Sequence, residues 1–126
     1  MDSIKYTGAY SYKIDYKGRV AIPGAFRQKG IPDKFIITRG DDGCLLLLTE
    51  DQWRLRLAGI RSDRDLRLFM AWSEDQHVVG GHILLRPRYL KMMATEGTHV
   101  IFVGVGDHIE IWAPEDYAID EPMHVE

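Results

Sequence analysis

The sequence predicts a mainly β fold with short helices, an α+β protein built from two tandem copies of one module. Three observations carry this: the chain repeats itself, apolar residues alternate in runs of strand length, and glycine and proline punctuate those runs at matching places. In the first half Lys17-Gly18-Arg19 precedes Val20-Ala21-Ile22-Pro23 and a short segment with Phe26. In the second, Gly80-Gly81-His82 precedes Ile83-Leu84-Leu85-Arg86-Pro87 and a segment with Tyr89. Gly18 thus matches Gly81, Phe26 matches Tyr89, residues 35–40 match 99–104, and residues 49–53 match 113–117. One copy is too short to cover its own sheet face well; two packed together can.

The elements follow in order. Tyr10, Tyr12 and Ile14 alternate with Ser11, Lys13 and Asp15, which predicts a half-buried strand. Gly18 turns the chain, and Val20 and Ile22 alternate again, so the two strands are expected to form a hairpin. Pro23 suits the first turn of a short helix, Gly30 its end, and Pro32 blocks continuation. Residues 35–39 and 44–48 read as strands joined by Gly40-Asp41-Asp42-Gly43. The second of these, Cys44-Leu45-Leu46-Leu47-Leu48, is apolar on both faces and is expected to be central. Thr49 with Gln52 forms a capping box that opens a helix through Trp53 and Leu57. Ser62 with Asp65 caps a further helix, on which Leu66, Phe69 and Met70 share a face. The expected organisation is a first copy over residues 1–58, a helical connector over 59–75, a second copy over 76–119, and a loose acidic tail over 120–126.

Composition narrows the function classes. At 126 residues, with 45% hydrophobic and 28% charged, the chain has the makeup of one globular unit. No apolar run reaches the roughly 20 residues of a membrane helix, and the N-terminus lacks the apolar core of a secretory signal. The single cysteine, Cys44, excludes an internal disulfide and fits a reducing cytoplasm. The net charge of −3 argues against a polyanionic partner, but its distribution argues for one. Residues 1–70 hold 13 Lys/Arg against 9 Asp/Glu, whereas residues 71–126 hold 3 against 10. Such asymmetry suits a protein that turns one face to a polyanion.

The stretch Asp15-Tyr16-Lys17-Gly18-Arg19 is the most informative. Gly18 places Arg19 at a turn, and Asp15 lies across that turn, able to pair with Arg19 or to hold the loop through backbone donors. A two-stranded ribbon fits a DNA major groove, where arginine grips phosphate or a guanine edge. Lys13 and Lys17 add charge nearby. The same residues also fit a plain surface ion pair in a hairpin.

From Tyr6 to Trp53 the chain resembles the first half of the MraZ family, relatives of the AbrB/SpoVT swapped-hairpin proteins. The matching residues include Gly8, Tyr10, Asp15, Lys17-Gly18-Arg19, Ile22-Pro23, Phe26-Arg27, Thr38-Arg39-Gly40 and Asp42-Gly43-Cys44-Leu45. The second half matches through Gly81, Ile83-Leu84-Leu85, Pro87, Val103-Gly104-Val105-Gly106-Asp107 and Ile109-Glu110-Ile111-Trp112. The resemblance implies two AbrB-like modules interlocked in a double-ψ or swapped-hairpin type β-barrel. It also implies ring-like homo-oligomers and control of transcription, through repeated double-stranded promoter DNA sites upstream of the division and cell-wall gene cluster. Arg19 takes the DNA-contact role, with Lys17, Lys13 and Arg27 adding charge and Asp15 and Gly18 shaping the loop. The second copy departs from the pattern: Val78 stands where the aspartate is expected and His82 where the arginine is, so Gly81 and His82 form only a possible second contact.

No other chemistry is expected. His99 and His108 lie on or near the strands of one hairpin and can approach each other, but without the spacing of a zinc motif, and no metal or cofactor is assigned. No Gly-x-Ser-x-Gly, phosphate loop or carboxylate pair suggests an enzyme or a small-molecule substrate. Gly104-x-Gly106-Asp107 reads as a hairpin turn, because a strand follows it. Trp53, Trp72 and Trp112 read as residues of the core or of a subunit contact, and Phe69, Met70 and Trp72 of the connector are offered for the latter. The rival to a cytoplasmic, nucleoid-associated regulator is an oligomeric scaffold of the same fold with reduced or lost DNA binding.

Overall fold

The computed structural model describes residues 5–93, 98–117 and 124–125. Within them the protein is α+β. The strands are β1 (Ala9–Lys13), β2 (Arg19–Ala21), β3 (Lys34–Arg39), β4 (Leu45–Leu48), β5 (Glu74–His77), β6 (His82–Leu84), β7 (His99–Gly104), β8 (Ile109–Trp112) and β9 (His124–Val125). The helices are α1 (Gly24–Arg27), α2 (Glu50–Ala58), α3 (Asp63–Trp72) and α4 (Pro87–Met92). One sheet runs β5-β3-β4-β8-β7-β1-β9, and β2 pairs with β6 apart from it.

The expected β1–β2 hairpin does not form. β1 lies antiparallel to β7, with Tyr10 opposite Phe102, and β2 lies antiparallel to β6, with Val20 opposite Ile83. A single bridge, Ile14 to Val20, joins β1 to β2. The exchange is reciprocal, since β3 takes β5 as its outer neighbour. Burial is the reason. Val20, Ile22, Ile83 and Leu85 are all almost inaccessible and meet Phe26, Tyr89, Phe35 and Phe102 in one core. Separate hairpins would leave each half's apolar face half covered.

Register also corrects the repeat. The turn after β3 closes with Gly40 N–H donating to Cys44 O, whereas the turn after β7 is one residue shorter, Val105 to His108. Phe35 and Ile37 therefore occupy the buried places of Val100 and Phe102, and β3 matches β7 one residue away from the sequence match. A one-residue slip exchanges the two faces of a strand, so burial fixes this correspondence.

β4 is central, as its composition predicts. Leu45 and Leu47 enter the main core, while Leu46 and Leu48 meet Cys44, Trp53 and Trp112 on the other face. Thr49 and Gln52 form the reciprocal capping box that opens α2. Ser62 caps α3 by accepting from Asp65 N–H at 3.1 Å. Phe69 stacks on Trp53, whose Nε1–H donates to Ser73 Oγ, but Leu66 and Met70 on the same helix stay exposed. No helix among the described residues is long and apolar enough to cross a membrane. Most of the expected tail lies outside the described residues; His124–Val125 runs parallel beside β1.

Candidate nucleic-acid interface

The Gly18 turn is built around one carboxylate. Asp15 Oδ1 accepts from Lys17 N–H at 2.8 Å and Arg19 N–H at 2.9 Å, and Oδ2 accepts from Arg19 Nε at 2.8 Å. These donors, the Arg19 N–H first, hold the Asp15 carboxyl below the usual carboxylate range against the opposing effect of desolvation. Gly18 has φ +89°, and a Cβ there would stand 2.7 Å from Leu85 O. Glycine is therefore needed twice, for the left-handed backbone and for the approach of β6. Arg19 remains half exposed, and Asp15 holds its guanidinium at Nε.

β2 and β6 form a two-stranded ribbon whose inner residues, Val20 and Ile83, are buried. Alternation puts Arg19, Ala21, His82 and Leu84 on its outer face. Arg19 is opposite Leu84 and His82 opposite Ala21, so both loops feed one surface from opposite ends. Between this surface and β5 runs a groove of about 690 Å³, lined by Asp15, Arg19, His82, Leu84, Glu74 and Arg86.

The second loop is a tight turn. Val79 and His82 exchange both backbone hydrogen bonds, at 2.9 and 3.0 Å, and Gly80 and Gly81 have φ +59° and +77°. That is a two-residue turn of the I′ kind, one residue shorter than the Gly18 loop. In consequence Val79, not Val78, stands where Asp15 stands in the first loop. Val78 is the counterpart of Ile14: its N–H donates to Asp33 O as Ile14 N–H donates to Thr98 O. His82 is exposed, with Nδ1 2.9 Å from Gly80 O.

The other predicted cations divide. Lys17 stays at the Gly18 loop, its Nζ 5.6 Å from the ring centre of Tyr16, and Lys13 is exposed at the end of β1. Arg27 is instead at the second loop, packed on Gly81. Two residues escaped the sequence reading. Tyr16 is 89% exposed at the loop tip, and Arg86 lines the same groove as Arg19, paired with Glu74 at 3.3 Å. The signal for Arg86 was present: with Gly18 matching Gly81 and Phe26 matching Tyr89, Arg86 stands in the place of Pro23, each just before its helix.

The histidines of the β7–β8 hairpin do not converge. Gly104 pairs with Ile109 and Val105 N–H donates to His108 O, so His108 sits at the turn and His99 at the open end, roughly 20 Å away at about 3.3 Å per residue. No group of metal-ligating side chains occurs among the described residues. His108 Nδ1 is 2.8 Å from Asp107 Oδ1, and its Nε2 is 3.8 Å from Glu110 Oε2 and 3.4 Å from Arg56 Nη2. Glu110, helped by Asp107, raises the His108 imidazole against the opposing effects of burial and Arg56. Burial, followed by Glu110, pushes the Cys44 thiol up to about 12. The tryptophans pack: Trp53 on Phe69, Trp72 on Tyr89, and Trp112 on Tyr117.

The two halves of this α+β chain pair β1 with β7 and β2 with β6, and so build one exposed, arginine-bearing ribbon. The family model described as "MraZ protein, putative antitoxin-like" matches residues 6–65. The Transcriptional regulator MraZ of Carboxydothermus hydrogenoformans is 36% identical over 119 residues, 87% of this chain and 82% of that protein. The protein of the same name from Acetivibrio thermocellus is 35% identical over 133 residues, 96% and 92% of the two chains. That from Thermomicrobium roseum is 37% identical over 122 residues, 90% and 84%. The chain belongs to the MraZ family, a family of transcriptional regulators and not of enzymes.

Proposed function

We propose that this chain is a DNA-binding transcriptional regulator whose β2–β6 face meets double-stranded promoter DNA, with Arg19 as the principal contact. The observation that carries this is the Asp15 clamp on Arg19, which pre-orients an exposed guanidinium on a rigid turn. Pre-orientation lowers the ordering cost of each phosphate or base contact. Lys17, Lys13 and Arg86 add charge around it. Binding is to repeated sites upstream of the division and cell-wall gene cluster, by a ring-like homo-oligomer acting in the cytoplasm at the nucleoid. One loop gives little affinity, and several presented together give avidity. The relatives' shared name supports the regulatory part of this reading.

A scaffold of the same fold with weakened DNA binding is the second reading. It is favoured by Val79 and His82 in the second loop and by Glu74 and Asp75 beside the ribbon. A mobility-shift titration with the duplex lying upstream of this chain's own gene separates the two. A regulator shifts that duplex, and Arg19→Ala strongly weakens the shift while keeping the wild-type melting temperature. An unshifted duplex at low salt contradicts the proposal.

A further inference from the structure

We propose that Arg27 supplies the second loop with the phosphate-binding cation that its own sequence lacks, so that each chain presents two DNA contacts. This rests on the DNA-binding reading above and names a second site within it. Arg27 ends α1, in the first half of the chain, yet its side chain lies over the turn of the second half. Its Nε donates to Ile22 O at 3.1 Å, and Ile22 N–H donates to Gly81 O at 2.9 Å. This pins the stem against the turn. A Cβ on Gly81 would meet Arg27 Nη1 at 3.1 Å and Cδ at 3.4 Å, so the absence of a side chain at 81 lets the arginine lie across the loop.

The two loops are charged by different routes. At the first, the turn's own Arg19 is held by Asp15, and the residue matching Arg27, one after Tyr89, is Leu90. At the second, the turn's own residue is His82, and the guanidinium comes from Arg27. Among the described residues no carboxylate pairs with Arg27, so its Nη donors are uncommitted in a way that those of Arg86 and Arg88, both bound to Glu74, are not. No described residue accepts from the Gly80 or Gly81 N–H. Two backbone donors beside a held guanidinium are a fit for a phosphate oxygen. Strand exchange makes the arrangement: because β2 pairs with β6, α1 follows directly onto the partner half's loop.

The test is the salt dependence of binding to the upstream duplex for wild type, Arg19→Ala, Arg27→Met and Arg27→Lys. Deuterium uptake over residues 79–83 is followed with and without DNA. Arg27→Met is expected to lower the slope of log K against log salt by about one per engaged subunit, with Arg27→Lys retaining most of it. Uptake over the second turn is expected to slow with DNA in wild type and in Arg19→Ala. A wild-type slope in Arg27→Met, or uptake over 79–83 unchanged by bound DNA, overturns the inference. If Arg27→Met fails to fold, the wild-type uptake decides alone. A wild type with no salt-dependent binding overturns the DNA reading and this inference with it. Binding that needs Arg19 but is indifferent to Arg27 removes only the inference.

Discussion

Asp15 does more than balance the charge of Arg19. It accepts from two backbone N–H groups and one guanidinium nitrogen, so it sets the turn and the arginine together. Asp15→Ala is therefore expected to weaken DNA binding several-fold while leaving the cation in place. An affinity equal to wild type, read by fluorescence anisotropy, contradicts a role in pre-orientation. Gly18→Ala adds a strained φ to a 2.7 Å clash with Leu85 O, and is expected to cost roughly 2–4 kcal/mol in chemical denaturation. These roles are legible in the sequence, because a carboxylate, a glycine and an arginine within five residues act locally. The place of Val79 was not legible: the second turn is one residue shorter, and only its backbone hydrogen bonds reveal the shift. Nor was the destination of Arg27, which depends on which strand β2 takes as its partner.

At the scale of elements, local signals identified the strands and helices well, and failed on pairing. Caps at Thr49 and Ser62 and the apolar β4 are statements about neighbouring residues. The choice of β7 over β2 as the partner of β1 is a statement about the core of the whole chain. One element junction gives a pH signature. α2 docks on the β7–β8 turn through Gln52, which donates to Asp107 O, and through Arg56 beside His108. The His108 imidazole is raised above its ordinary 6.5, so its contribution to stability is complete below that value and is lost as pH rises through the folded value. Glu110 is held below its ordinary 4.5 by His108, so its contribution is present above 4.5 and is lost as pH falls through the lowered value. Stability from this pair is therefore greatest between 4.5 and 6.5. His108→Gln is expected to remove about 1 kcal/mol there, roughly 3–5 °C in Tm, and to change little at pH 9. Equal losses at both pH values would assign His108 to packing alone.

The whole molecule has an asymmetric surface. Phe69 and Trp72, which the sequence offers as interface residues, are spent on packing within the chain, against Trp53 and Tyr89. What α2 and α3 leave outside is Leu55, Leu68 and Met70, at 73%, 44% and 49% exposure, and these are the residues the proposed oligomer would cover. A homo-oligomer larger than a dimer is expected at micromolar concentration by sedimentation velocity, and Leu68→Glu should dissociate it; a monomer at every concentration contradicts this. On the proposed reading oligomerisation and the ribbon would act together, since a ring would multiply the loops that each chain presents. The central claim is that DNA meets the face made by strand exchange, through Arg19. Its most direct measurement is the slope of log K against log salt on the upstream duplex for wild type and Arg19→Ala, each at its natural oligomeric state. The account predicts tight wild-type binding with a steep slope, and for Arg19→Ala a much weaker complex whose slope is smaller by about one for each engaged subunit. Equal affinities and equal slopes for the two proteins would contradict it.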